Sequence, residues 1–251
     1  MTEPVRIAMW SGPRNISTAM MRAFENRPDT EVSDEPFYAY SLVHTGINHP
    51  GREEVIASME TDWRKIAEAI TGNPTNGIAV WYQKHMAHHM HGEIDLDWIW
   101  NLRNCFLIRD PREVILSYSK KFDVSDAMLL GFHKQEELFH KVLDQTGEVP
   151  PVLDAKDVLE NPAGILSELC GRVGIPFTES MLSWPEGRRS SDGIWAKYWY
   201  RAVEGSTGFE AYRPREGNLT ESQMKIYDVV LPVYEKLHEH RMKGEPAHVS
   251  G

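Results

Sequence analysis

A run from Val5 to Trp10, apolar except for Arg6, gives way to Ser11-Gly12-Pro13, after which Ile16, Ala19, Met20 and Ala23 recur at helical spacing. An apolar run, turn formers and then a 3.6-residue period predict a buried strand, a tight turn and a helix. The same alternation continues down the chain. Glu31-Val32-Ser33 predicts a short second strand, and Glu53 to Ile70 a helix with Val55, Ile56, Met59, Trp63, Ile66 and Ile70 on one side, stopped by Gly72-Asn73-Pro74. Gly77 to Tyr82 reads as a buried strand, followed by a segment in which His85 and His89 would share a helix face. Asp95 to Leu102 reads as a short helix or turn, and Asn104 to Ile108 as a central strand. That strand ends at Arg109-Asp110-Pro111, where Asp110 as cap and Pro111 at the first helical position start a helix carrying Val114 and Tyr118 on one face. A helix over Asp126 to Thr146, a strand over Pro150 to Leu153 and a helix through Ile165, Leu166, Leu169 and Val173 follow, the last stopped by Gly174. Glu221 to His240 is amphipathic, with Pro232 predicted to kink it.

Strands alternating with helices predict an α/β fold, a single three-layer domain with a central parallel sheet flanked by helices. Nothing repeats and no linker divides the chain. Residues 1–242 are therefore expected to form one domain, and 243–251 a loose C-terminal tail. Trp184 to Gly217 has little periodicity but interleaves Arg188, Arg189, Arg201, Arg213 and Arg215 with aromatic residues, which suits a lid near 184–217 closing over a crevice.

Composition narrows the classes. With 251 residues the chain can bury a sizeable core. It has 27 basic and 37 acidic residues, a formal charge of −10 that argues against a general nucleic-acid surface, so an anionic ligand has to be held by a few aimed groups. No stretch approaches a membrane span and the N-terminus lacks a signal-peptide pattern, which predicts a cytoplasmic protein. Cys105 and Cys170 read as reduced core thiols.

The first turn is where chemistry is expected. A helix opening after a strand presents unpaired backbone N–H groups at the positive end of its dipole, and Arg14, Ser17 and Thr18 add side-chain donors there. A phosphate fits that place. The spacing of a Walker A motif is absent, and Arg14 stands where its lysine is expected. Ligands of an open parallel sheet collect beyond the carboxyl ends of its strands, so Glu35, in Asp34-Glu35-Pro36-Phe37, is a candidate base. Lys84 and His85 follow a strand and can reach the same crevice. His85, His88, His89 and His91 invite a metal reading, but no Glu or Cys at ligand spacing accompanies them and no metal is expected.

Arg14 in its strand–turn–helix, the run Phe-Leu-Ile-Arg-Asp-Pro-Arg-Glu-Val-Ile-Leu-Ser-Tyr from Phe106 to Tyr118, and Asp154 to Phe177, in this order, resemble the sulfotransferases that use 3′-phosphoadenosine 5′-phosphosulfate, PAPS. The resemblance implies a P-loop-like fold and assigns the 5′-phosphosulfate to the first turn, Ser11, Gly12, Pro13, Arg14, Asn15, Ile16, Ser17 and Thr18. It assigns the 3′-phosphate to Arg109 and Ser117, with Arg188 and Arg189 standing in for a late basic segment that closes over the nucleotide. It makes Glu35 the first choice of base and His85, after Lys84, the second. The implied reaction moves a sulfuryl group from PAPS to a hydroxyl or amine of a small acceptor and leaves adenosine 3′,5′-bisphosphate, with Arg14 stabilising the departing phosphate. The alternatives are a P-loop kinase or NTPase, and a catalytically silent nucleotide-binding module.

Overall fold

The computed structural model describes residues 3–75, 77–92 and 94–244. Five strands, β1 (Val5–Ser11), β2 (Thr30–Asp34), β3 (Val80–Met86), β4 (Arg103–Ile108) and β5 (Val152–Asp154), form one sheet in the order β2-β3-β1-β4-β5. Every pairing is parallel. The chain first adds strands on one side of β1 and then crosses to the other. Such a reversal opens a crevice beyond the carboxyl ends of the strands. The strands are connected through the helices α1 (Ser17–Glu25), α2 (Tyr38–Thr45), α3 (Arg52–Ser58), α4 (Trp63–Thr71), α5 (Pro111–Tyr118) and α6 (Phe132–Thr146), and the helices α7 (Ala155–Glu160), α8 (Pro162–Val173), α9 (Ala196–Trp199), α10 (Arg201–Glu204) and α11 (Glu221–Glu239) follow the last strand.

Alternation along the strands feeds two cores, one on each face of the sheet. Ile7, Met9, Tyr82, Cys105 and Leu107 pack with residues of α1, α2 and α8. Ala8, Trp10, Phe106 and Ile108 pack with residues of α4 and α6. The expected three-layer α/β architecture is therefore the one observed, and the central strands are apolar runs because both of their faces are covered. No helix among the described residues is long and apolar enough to cross a membrane.

Three element boundaries differ from expectation, each for a physical reason. The helix expected over Glu53–Ile70 is two helices, since Met59 is extended and Asp62 caps α4 by accepting from the Arg64 N–H. Val55 faces the first core while Ile66 and Ile70 face the second, which one straight helix cannot do. The strand expected over Gly77–Tyr82 is shifted to Val80–Met86, and the helix face shared by His85 and His89 does not form. Gln83, Lys84 and His85 enter the strand interior because each finds a partner there, Gln83 Nε2 donating to the Ile70 carbonyl at 2.7 Å and His85 Nε2 lying 3.1 Å from Gln83 Oε1. The helix expected over Asp126–Thr146 is divided at Gly131, whose φ of 75° separates a 3₁₀ turn from α6.

At the end of the chain Pro232 lies inside α11. Gly244 N–H donates to Glu168 Oε2 at 2.8 Å, so the expected loose tail is anchored at its start, and 245–251 lie outside the described residues. The 184–217 segment is not only a cover. Trp184, Trp195 and Tyr200 are buried in the first core, and its later part reaches the carboxyl edge of the sheet.

Gly12 is fixed by close approach. A Cβ built there would lie 2.4 Å from the Leu130 carbonyl oxygen. We expect Gly12→Ala to lower the unfolding free energy by roughly 1–3 kcal/mol, read from its denaturant midpoint, because the turn and the Leu130 backbone cannot both keep their places. An unchanged midpoint would show that the turn can back away.

Candidate active site

The carboxyl ends of β1, β2, β3 and β4 open into a cleft of about 650 Å³. Its floor is the turn after β1. Asn15 ties that turn to the sheet, its Nδ2 donating to the Leu107 carbonyl at 2.9 Å while its Oδ1 accepts the Ile16 N–H at 2.8 Å. Buried Gln135 clamps the same strand ends, donating to the Trp10 and Leu107 carbonyls at 3.1 Å each. Ile16 supplies no side-chain cap to α1, so the first-turn N–H groups, at Ser17, Thr18 and Ala19 on the cleft wall, have no acceptor within the helix. Arg14 sits at φ 58°, a left-handed conformation uncommon for a residue with a Cβ.

Arginines crowd the β1–β4 side. Arg14 Nε donates to Ser117 Oγ at 3.0 Å, and Arg109 donates to the Arg14 carbonyl at 3.3 Å. The two motifs therefore meet across one cleft. Asp110 and Pro111 start α5 as expected, with Asp110 accepting the Arg112 N–H, and Ser117 lies on the α5 face turned back to the cleft. Glu113 takes two bonds from Arg109, at 2.9 and 2.7 Å, and a third from Tyr212 at 2.7 Å. Arg112 donates to the carbonyls of Arg215 and Gly217, which hangs the 212–217 strip over the cleft and brings Arg213 and Arg215 onto its wall. Burial, and then the charge of Arg109, lower the pKa of both Arg14 and Arg215. The Arg215 Nε is buried with no partner among the described residues. Among the described residues Glu113 is the carboxylate that pairs with these guanidinium groups, and it is bound to Arg109.

On the β2–β3 side the register pairs Asp34 with Lys84. Glu35 continues the ladder, its N–H donating to the Lys84 carbonyl at 2.9 Å, and then turns at φ 46° so that its carboxylate meets Lys84 Nζ at 2.5 Å. Lys84 also donates to Asp34 Oδ1 at 2.8 Å and to Tyr200 Oη at 2.5 Å. Burial pushes the Glu35 pKa up against the pull of Lys84, and the Asp34 charge adds to the rise. For Lys84 burial works toward neutrality, but Asp34, Glu35 and Tyr200 overcome it and hold the ammonium well above its usual range. Beyond Glu35 the wall is aromatic. His89 stacks on Tyr38 at 5.0 Å, and Trp199 and Phe122 lie 5.5 Å apart.

Of the residues singled out from sequence, Pro13, Arg14, Asn15, Ile16, Ser17, Thr18, Glu35, Lys84, Arg109 and Ser117 line this cleft together. Ser11 and Gly12 shape the turn from behind, Ser11 being fully buried in β1. His85 is not brought to the cleft. Strand alternation sends it to the opposite face of the sheet, where it stacks on Trp10 at 4.5 Å. Arg188 and Arg189 stay away as well, Arg188 exposed and Arg189 donating to the Pro185 carbonyl at 2.6 Å. Arg213 and Arg215 line the cleft instead, and sequence left them undifferentiated among five arginines of one aperiodic stretch. Tyr200 was equally hidden, because nothing near it in sequence marks it as the partner of Asp34 and Lys84. Among the described residues no group of three or more His, Cys, Asp or Glu is placed to hold a metal ion.

A family model described as "Sulfotransferase domain" matches residues 5–241. Branched-chain-amino-acid aminotransferase-like protein 1 of Arabidopsis thaliana is 34% identical over 241 residues, covering 96% of this chain and 43% of that protein. The like-named protein 2 of the same plant is 31% identical over 234 residues, covering 93% and 41%. The chain thus spans less than half the length of these curated relatives. A crystal structure of a sulfotransferase from Alicyclobacillus acidocaldarius shares the fold, with a TM-score of 0.56 at 11% identity over 96% of this chain and 98% of that one.

Burial keeps His85 neutral and lowers its pKa to about 3, against an ordinary 6.5. A histidine in the unfolded chain takes up a proton below pH 6.5 that folded His85 refuses, so folding stability falls as pH drops through that window and the loss levels off only near pH 3. We expect His85→Gln to remove about 2 kcal/mol of the stability difference between pH 7.5 and pH 5, measured by urea unfolding at both. An unaltered pH difference would mean that His85 titrates normally.

Proposed function

The chain belongs to the sulfotransferase-domain family, and from that premise we propose that it transfers a sulfuryl group from PAPS to a hydroxyl or amine of a small acceptor, with Glu35 as general base. The observation that carries this reading is the crowd of Arg14, Arg109 and Arg215, of which only Arg109 is ion-paired among the described residues, in a protein whose overall charge is −10. Like charges held together out of water call for an anion. The lowered pKa values of Arg14 and Arg215 and the unpartnered Arg215 Nε fit a doubly phosphorylated nucleotide. Arg109, Ser117 and Arg215 suit its 3′-phosphate, and Arg14 with the first-turn N–H groups of α1 its 5′-phosphosulfate.

The bound donor supplies a sulfuryl group whose departure leaves negative charge on a phosphate oxygen. Arg14 and the N–H groups of Ser17 and Thr18 are fixed in advance where that charge grows, so little reorganisation is needed as it forms. Asn15 and Gln135 hold the turn in that position. Across the cleft Glu35 accepts the acceptor's proton, its basicity raised by burial. Tyr38, His89, Phe122 and Trp199 wall the space beyond it and suit the apolar body of an acceptor. His85 is left out of the proton transfer because it lies behind the sheet.

Adenosine 3′,5′-bisphosphate is expected to raise the melting temperature, and ATP–magnesium to do so far less, since selective binding stabilises the folded state. Arg109→Ala should abolish most of the bisphosphate shift. With labelled PAPS and an acceptor panel, Glu35→Gln is expected to lower kcat by roughly 10²–10⁴-fold while leaving the bisphosphate shift in place. Full turnover in Glu35→Gln would remove Glu35 as the base, and no shift with the bisphosphate would remove PAPS as the donor.

A further inference from the structure

The hydrogen bonds behind Glu35 are fully committed. Lys84 Nζ has three hydrogens and three acceptors, Asp34 Oδ1 at 2.8 Å, Glu35 Oε1 at 2.5 Å and Tyr200 Oη at 2.5 Å. An ammonium only donates, so Tyr200 receives from Lys84 and turns its own O–H to Asp34, both of whose oxygens lie 2.8 Å away. Asp34 Oδ2 also accepts the Gly193 N–H at 3.1 Å. Lys84 is 1% exposed, Tyr200 5% and Asp34 8%. Two carboxylates therefore share one cation where water does not enter, and two of the donors to Asp34 come from a segment some 160 residues away in sequence.

We propose that Asp34 and Tyr200 are positioning residues that set the basicity of Glu35 by dividing the charge and the hydrogen bonds of Lys84, and that this division is complete only with 193–200 docked against the sheet. The inference deepens the reading of Glu35 as base and rests on it. Serving Glu35 alone, Lys84 would hold its carboxylate as a tight ion pair and make it a poor proton acceptor. Asp34 occupies one N–H and Tyr200 another, so a single bond reaches Glu35, while the Asp34 charge opposes a second negative charge beside it. The other titratable groups facing the cluster are Tyr38 on α2, Tyr82 on β3, which burial also keeps neutral, and His89 on the 3₁₀ turn after β3. Burial raises the pKa of Tyr38 and lowers that of His89, so none of the three carries a charge that offsets the balance. Lys84 has no N–H left over for substrate. In this arrangement it acts through Glu35.

The test is a carbon-13 carboxylate NMR titration of the ligand-free protein, the Glu35 signal being assigned by its loss in Glu35→Gln. Asp34→Asn keeps the shape and removes the competing charge, and should lower the proton affinity of Glu35 about tenfold or more, with the acid limb of kcat/KM against pH moving the same way. Tyr200→Phe frees the third N–H of Lys84 toward the open oxygen of Glu35 and should move the midpoint in the same direction by less. It serves alone if Asp34→Asn fails to fold. Folded variants whose midpoint stays at the wild-type value overturn the proposal, even where turnover falls, because a purely structural role leaves the titration in place. If the midpoints move and no sulfuryl group is transferred from PAPS, the functional reading fails and this one stands. If transfer occurs and the midpoints do not move, only this one fails.

Discussion

Lys84 is a positive charge walled off from water near the end of a strand, and much of the architecture of the cleft follows from keeping it ionised. Removing such a charge from water costs several kcal/mol, recovered only when every hydrogen finds a partner with good geometry. The register of β2 on β3 brings Asp34 opposite it, the turn at Glu35 brings a second carboxylate, and Tyr200 brings the 193–200 segment down onto the sheet. Among the described residues the two non-glycine positions with positive φ are Arg14 and Glu35. Each costs of order 1–3 kcal/mol in backbone strain, and they aim the two groups proposed to act on opposite sides of the transferred sulfuryl.

The other half of the cleft is built on the opposite imbalance. There the surplus is cationic, with Arg14, Arg109, Arg213 and Arg215 gathered on one rim and Glu113 the carboxylate bonded among them. The net charge of the chain gives no warning of this, because the field inside a cleft is set by the few groups that line it. Glu113 does more than balance charge. Its bonds to Arg109 and Tyr212 link the helix after β4 to the strip that delivers Arg215, so two walls of the cleft are joined through one side chain.

Strand β3 separates two uses of polar residues that are adjacent in sequence. Lys84 follows the face of Tyr82 and reaches the cleft, whereas Gln83 and His85 follow the other face and bond within the second layer. A histidine that neighbours a lysine of the cleft is thus a core residue, held neutral by the apolar surroundings of Trp10 and Phe37.

The amino-acid sequence by itself determined the alternation of strands and helices, the turn after β1 and the capped start of α5. All of these are local: apolar period, turn residues and caps act over a few positions and leave their mark there. Tertiary structure alone decided which side of the sheet His85 occupies, since that depends on where β3 begins, and Gln83 and His85 are admitted to the strand only by partners such as the Ile70 carbonyl. It also decided that one expected helix must break at Met59 to serve two cores. The choice of Arg213 and Arg215 over Arg188 and Arg189, and of Tyr200 as the third partner of Lys84, rests on contacts across the fold, where aperiodic chain is positioned by what it packs against and carries no repeat of its own.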